Sequence, residues 1–330
     1  MTVRERLFYF CQLHQTGLTV SALSLLFLIW PMIESNPYNL GLSNLIAIYA
    51  MVVLGLNLFI GYTGQISLGH AAFFAMGAYG SAVGTVSLGW SPWPVMILVA
   101  LATAFVALAV GLPALKLRGH YLAMATLGFN IVIYTILIQW DTVTGGPSGF
   151  SGIPYLAIGS LVFDNEIRIH YLVWTFAIVS LLLSLNLVRS GAGRGLAALA
   201  EDEVAAAALG VDVRRAKVKV FVLSAVLASL AGSLFAHCYA FVSPDSFNIF
   251  VSVDFVIMVV VGGMGSIWGT LLGTGLITLL PEWIEALDTY KDIIHGLILV
   301  LILLFLPQGL VTGIVSAVRT RIALSRGTHA

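Results

Sequence analysis

The chain has 330 residues, 59% of them hydrophobic and only 9% charged, whereas a soluble domain runs near ~45–50% apolar and about 25% charged. A mean hydropathy of +1.01 makes it a polytopic membrane protein and excludes a soluble catalytic domain. Fifteen basic and fifteen acidic residues cancel, which leaves no basic field for nucleic acid, and Cys11 and Cys238 fit no disulfide or metal spacing.

A spanning helix needs about 20 predominantly apolar residues. In chain order the candidates are Leu18–Ile33, Leu42–Ile60, Ser67–Ser87, Trp93–Leu115, Tyr121–Trp140, Ile169–Val188 and Val218–Phe241. The first run is followed by "PMIESNPYNL", not by a small-residue cleavage site, so a cleaved leader is not expected. The apolar stretch Ile249–Leu280 is interrupted by "GGMGSIWG", Gly262–Gly269, and reads as two shorter segments. A last candidate runs over Ile293–Val311. The expectation is an all-α polytopic protein, one transmembrane domain over residues 1–330 with about ten hydrophobic segments and broken helices.

Basic residues orient these segments. Arg4 and Arg6 precede the first, Lys116 and Arg118 follow the fourth, and Arg319, Arg321 and Arg326 follow the last. The loops "ESNPYN", "SLGWSPW" and "PEWIEALDTYKD" carry almost no Lys or Arg. The positive-inside rule places both termini in the cytoplasm, and an even number of crossings agrees. Residues 141–168, with the turn-rich "VTGGPSGFSGIP", then form an outer loop, read equally well as a turn cluster or as a contact for another protein. Trp90, Trp93 and Trp140 fall at segment boundaries, where aromatic belts place them.

Residues 189–219 stand apart, with ten of the thirty charged residues: Arg189, Arg194, Glu201, Asp202, Glu203, Asp212, Arg214, Arg215, Lys217 and Lys219. Within them "GLAALAEDEVAAAALG", Gly195–Gly210, is rich in strong helix formers, and Gly210 is placed to end a helix. The helix is too short and too charged to cross a bilayer, so it is expected on the cytoplasmic surface. It reads either as an ordinary loop helix or as one that docks in a partner's groove. Small alanines that let another surface approach, and Glu201, Asp202 and Glu203 as anchors for basic partners, speak for docking.

Polar interruptions mark two further places. "GYTGQISLGH" follows the second span, and "GGMGSIWGTLLGTG" lies in the second half of the chain. Irregular backbone at membrane depth survives only when buried in protein or lining a water-filled cavity, and such breaks point to transport pathways. Small-residue helix packing explains the glycines equally well.

The stretch "LNLFIGYTGQISLGHAAFFAMGAYGSA" resembles the signature of inner-membrane permeases of branched-chain amino-acid ABC importers, the LivM type. The likeness continues in order through "LRGHYLAMATLGF", "VTGGPSGFSGIP", "GRGLAALAEDEVAAAALGVDVRRAKVKVFVLSAVLASLAGSLFAH", "SPDSFNIFVSVDFVIMVVVGGMGSIWGTLLG" and the closing "PQGL". It covers about residues 40–312. The sequence departs from the pattern at Asn130, where many relatives carry a charge, and at Thr270, where proline often stands.

The resemblance implies the ABC-importer permease fold and a transport subunit of the bacterial inner membrane that catalyses no reaction and holds no metal or cofactor. It implies a second permease of the LivH type, two cytosolic subunits that bind the ATP, a periplasmic solute-binding protein, and lipid around the spans. No G-x-x-x-x-G-K-[ST] occurs in the chain, in keeping with ATPases on other polypeptides. Residues 194–211 become the coupling helix, with Glu201, Glu203, Ala205, Ala206 and Gly210 at its core. Gly64, Gln65, Ser67, Gly69, His70, Gly262, Gly263 and Gly265 become the pathway or gate hinge. The expected solute is a branched-chain or related hydrophobic amino acid; urea, short amides or another amino acid are the alternative within the family.

Other polar residues are read singly. Asp254 is expected to cap its helix or reach water, and His70 to line the path or satisfy a buried carbonyl. His237 is expected at the interface, and Asn57 and Asn130 to bridge helices by hydrogen bonds. A secondary transporter would place paired ionisable groups at mid-span, and a membrane enzyme a converging cluster such as H-E-x-x-H; the sequence has neither pattern.

Overall fold

A computed structural model describes residues 19–284 except 22, 35 and 118, together with residue 296. In order come α1 (Thr19–Ile33), α2 (Pro37–Thr63), α3 (His70–Ala82, prolonged by a π-helical turn Val83–Ser87), α4 (Pro92–Ala114), α5 (His120–Gln139) and α6 (Asp141–Thr144). They are followed by α7 (Glu166–Arg189), α8 (Gly191–Glu201), α9 (Glu203–Ala208), α10 (Val213–Tyr239), α11 (Ile249–Gly262) and α12 (Ile267–Ile284). Among the described residues, α2, α4, α5, α7, α10 and the stretch Pro244–Gly262 ending in α11 are long and apolar enough to cross a membrane. The expectation of about ten segments thus meets six such helices; α1 and α3 are shorter, α12 is not among the six, and Ile293–Val311 lies outside the described residues apart from residue 296.

Local chemistry sets the helix starts. The side chains of Asn36, Asn165, Asp212 and Asn248 accept the N–H groups of Tyr38, Ile167, Arg215 and Val251, satisfying donors that a first turn leaves unpaired. Proline occupies the first turn of α2 and α4, where its missing N–H costs nothing. Asn248, rather than Asp254, therefore caps α11; Asp254 is half-buried one and a half turns further on.

The spans run back and forth between two ends. One end carries α8 and α9, inserted between α7 and α10. The opposite end carries residues 141–168, where β1 (Phe150–Ser151) pairs antiparallel with β4 (Phe241–Val242), just beyond α10. A second ribbon there, β2 (Ala157–Ile158) with β3 (Leu161–Val162), accepts a 2.7 Å hydrogen bond from Trp93 Nε1 at the Ala157 carbonyl. His237 lies at this end of α10, as expected, and is buried, its Nδ1 2.7 Å from the Pro154 carbonyl.

The centre is built on α2, α3 and α10. α2 and α10 are the most buried spans and α5 the least. α3 lies along α10 in the same direction, so closely that a methyl group on Gly77 would overlap the Ser229 carbonyl, and one on Gly232 the Phe74 carbonyl. Backbones approach this way in membranes because dispersion between small residues, not exclusion of water, holds spans together. Hydroxyls add to this packing: Ser81 Oγ donates to Ser233 Oγ at 2.8 Å along the same seam, and Thr103 Oγ1 of α4 lies 3.0 Å from Ser229 Oγ of α10.

Candidate coupling and gate site

The chain between α2 and α3 is the first break. Gly64 ends α2 at φ 66, where its N–H still donates to the Ile60 carbonyl, and residues 64–69 then run without regular structure. A left-handed residue of this kind is a helix terminator that glycine adopts without strain. The segment does not swing free. Leu68 N–H donates to Thr126 Oγ1 on α5 at 2.9 Å, and Ala71 N–H to Ser252 Oγ on α11 at 3.1 Å. His70 is wholly buried between two hydroxyls: Nδ1 lies 3.2 Å from Ser67 Oγ, and Nε2 3.0 Å from Ser224 Oγ on α10. Its partners are side chains and not the backbone carbonyl that was one of its expected roles. A Cβ on Gly69 would come within 3.0 Å of the Thr126 carbonyl, so glycine here permits close approach to α5.

The second break, between α11 and α12, meets the first. Gly263 and Gly265 adopt φ values of 104 and 76, and Gly262 packs backbone to backbone on Gly269. Asn57 of α2 holds this turn: its Oδ1 accepts from Gly265 N–H at 2.9 Å, and its Nδ2 donates to Thr270 Oγ1 at 2.6 Å. Tyr62 Oη adds a 2.5 Å bond to the Gly265 carbonyl. A methyl on Gly61 would collide with Gly265 N. Asn57 therefore bridges helices as expected, and the two glycine breaks, far apart in sequence, form one junction.

The surface element is not one continuous helix. It breaks at Asp202, whose extended backbone and side chain cap α9 by accepting from Val204 N–H at 2.7 Å and Ala205 N–H at 2.9 Å. Those two N–H groups hold the Asp202 carboxyl below its ordinary value. At the other end of α9, Gly210 at φ 88 donates to the Ala207 carbonyl and Val211 to the Ala206 carbonyl, a Schellman ending. The C-terminal end of α8 abuts the first break: the Ala200 carbonyl is 3.8 Å from the Cβ position of Gly64.

Glu203 turns inward from this element. Its Oε1 accepts from Gln65 Nε2 at 3.1 Å and pairs with Lys217 Nζ on the first turns of α10. The Lys217 side chain is 5% exposed and that of Glu203 24%, so this pair is largely withdrawn from water, and Glu203 is engaged within its own chain. Ala206 is also buried, whereas Glu201, Ala205 and Gly210 are exposed together with the apolar Val204 and Leu209. Of the expected coupling residues, three thus face outward and two face the chain's own core.

Lys217, Thr126, Ser224 and Ser252 complete the site without having been singled out in the sequence. Lys217 does carry a signal: with Val220, Phe221 and Ser224, all buried, it repeats at the spacing of one helix face. No comparable signal marks the three hydroxyls. Among the described residues, no group of three or more His, Cys, Asp or Glu is placed to hold a metal ion.

The family model described as "Branched-chain amino acid transport system / permease component" matches residues 39–303. The chain is 32% identical over 332 residues to the high-affinity branched-chain amino acid transport system permease protein LivM of Escherichia coli, covering 94% of this chain and 75% of that one. It is 28% identical over 282 residues to the BraD permease protein of Pseudomonas aeruginosa, covering 79% and 91%. To LivH of Escherichia coli it is 26% identical over 280 residues, covering 79% and 90%. No solved structure matches it. With two glycine breaks joined at one end of an apolar helical bundle and a family match over most of its length, the chain belongs to the permease components of branched-chain amino acid transport systems.

Proposed function

We propose that this permease imports branched-chain or related hydrophobic amino acids across the bacterial inner membrane, driven by ATP that two cytosolic partner subunits bind and hydrolyse. A second permease of the LivH type completes the pathway, and a solute-binding protein delivers the solute to the end formed by residues 141–168. The ATPases dock on α8 and α9, where Val204, Ala205 and Leu209 offer an exposed apolar face. The basic residues around α8–α9 support this orientation, and Arg4, Arg6, Arg319, Arg321 and Arg326 support cytoplasmic termini on the same rule.

The observation that carries the reading is the Gln65–Glu203–Lys217 connection. A displacement of α9 pulls directly on the first glycine break and on the base of α10. Through Gly61 and Gly265 the second break is coupled to the first. Neither break performs chemistry; both are places where the backbone changes direction at low cost.

Reconstitution with the candidate partners in vesicles tests the proposal. Uptake of radiolabelled leucine that requires both ATP and the binding protein is the expected result. Uptake of urea in place of leucine would refute the solute assignment, and uptake without ATP would refute the coupling.

A further inference from the structure

Asn130 is wholly buried on α5, and neither its Oδ1 nor its Nδ2 has a hydrogen-bond partner among the described residues. Most buried amides in native structures are satisfied, because an unpaired one carries the full penalty of desolvation. Here both halves of one carboxamide are left so. Among the described residues the expected helix bridge does not form.

The place is particular. One turn before Asn130, Thr126 holds the chain that leads into α3. One turn after it, Tyr134 Oη donates to Asp245 Oδ1, at 3.2 Å, in the turn that leads into α11. Asn130 therefore stands where α3 and α11 both begin, and the Ala71–Ser252 hydrogen bond shows these two beginnings in contact. α3 has glycine at its N-cap, with no side chain of its own to cap the first turn. Its Ala71 N–H relies instead on a hydroxyl lent by α11. α3 and α11 thus begin beside each other, and the Ala71 N–H in the first turn of α3 is a donor held by a neighbouring side chain rather than by its own helix.

We infer that Asn130 and the first turns of α3 and α11 form a contact for the carboxylate of the transported solute. The reading rests on the importer function proposed above. In the conformation described here the contact is closed. When the two helix starts separate, Ser252 releases Ala71 N–H, and that donor and Asn130 Nδ2 bind the carboxylate while the aromatic rings of Phe73 and Phe129 receive an apolar side chain.

The test uses the whole complex in vesicles. Asn130→Leu removes the unpaired amide at nearly constant volume. It is expected to assemble with at least wild-type thermal stability. Leucine uptake should fall about ten- to a hundredfold, the scale of one hydrogen bond to a charged group. Asn130→Cys, in a chain with Cys11→Ala and Cys238→Ala, should react with a membrane-impermeant methanethiosulfonate during ATP turnover and not at rest. Wild-type uptake by Asn130→Leu, or a thiol that stays unreactive during turnover, would overturn the assignment. A wild-type complex that moves no leucine would instead sink the importer reading on which it rests.

Discussion

Gln65 and Glu203, separated by more than a hundred residues, are joined by a 3.1 Å hydrogen bond between the first break and the surface helix α9. Glu203 is held from the other side by Lys217, so one carboxylate ties together three elements. A residue chosen from sequence as an anchor for a foreign protein is an internal strut.

That strut gives the first prediction. Glu203→Ala leaves Lys217 charged, buried and unpaired, which costs about 3–5 kcal/mol when the surviving partner cannot reach water. A thermal melt of the purified protein should show a clear loss. The double variant Glu203→Leu/Lys217→Met removes both charges and should regain stability, yet solute moved per ATP should stay low because Gln65 has lost its partner. Normal coupling in that stable double variant would refute the strut.

Docking on the ATPases is tested on the outward face. Leu209→Asp places a charge where 81% of an apolar side chain is exposed. Folding should be unaffected, while ATPase affinity falls at least about tenfold, as expected for a central interface residue. Co-purification of the ATPases at wild-type yield would show that another face is used.

Junction of the two breaks is tested at Gly61. In Gly61→Ala the new methyl meets backbone atoms of Gly265, which no rotamer change relieves. Overpacking of this kind costs about 1–3 kcal/mol, and transport should drop more than expression does. Wild-type uptake would mean that the breaks move apart freely.

Acid should loosen α9. The Asp202 carboxyl is held low by two N–H groups, so its contribution is full above the ordinary carboxylate value and is lost as pH falls through the depressed one. Hydrogen exchange at Val204 and Ala205, corrected for intrinsic rate, should speed up in that range. Asp202→Asn keeps the cap without the titration and should flatten the response. Equal acid sensitivity in both proteins would assign the effect elsewhere.

The helices were legible because each carries its own signals. Expected and observed limits agree within a few residues for α4, α5 and α7, since apolar length and flanking polar caps are local properties. The break at Asp202 was not legible. Alanines on both sides favour a continuous helix, and only the side chain's competition for Val204 and Ala205 N–H decides otherwise. Both glycine breaks could be found from composition, but not their meeting at Gly61 and Gly265, which is a matter of tertiary packing. Asn57 and Asn130 look alike in sequence. One faces a turn that needs both its donor and its acceptor; the other meets no such group among the described residues.

The Gly77–Ser229 and Gly232–Phe74 approaches have a mechanical consequence. With no side chain between the two backbones there is no layer of atoms to shear, and a lengthwise slip would drive carbonyls into Cα positions. α3 and α10 therefore travel as a single stiff beam. Its foot is the first turns of α10, around Lys217, and the start of α3 joins it part-way along, where His70 meets Ser224. A displacement of the foot therefore carries the start of α3 with it and loads the Leu68–Thr126 and Ala71–Ser252 hydrogen bonds.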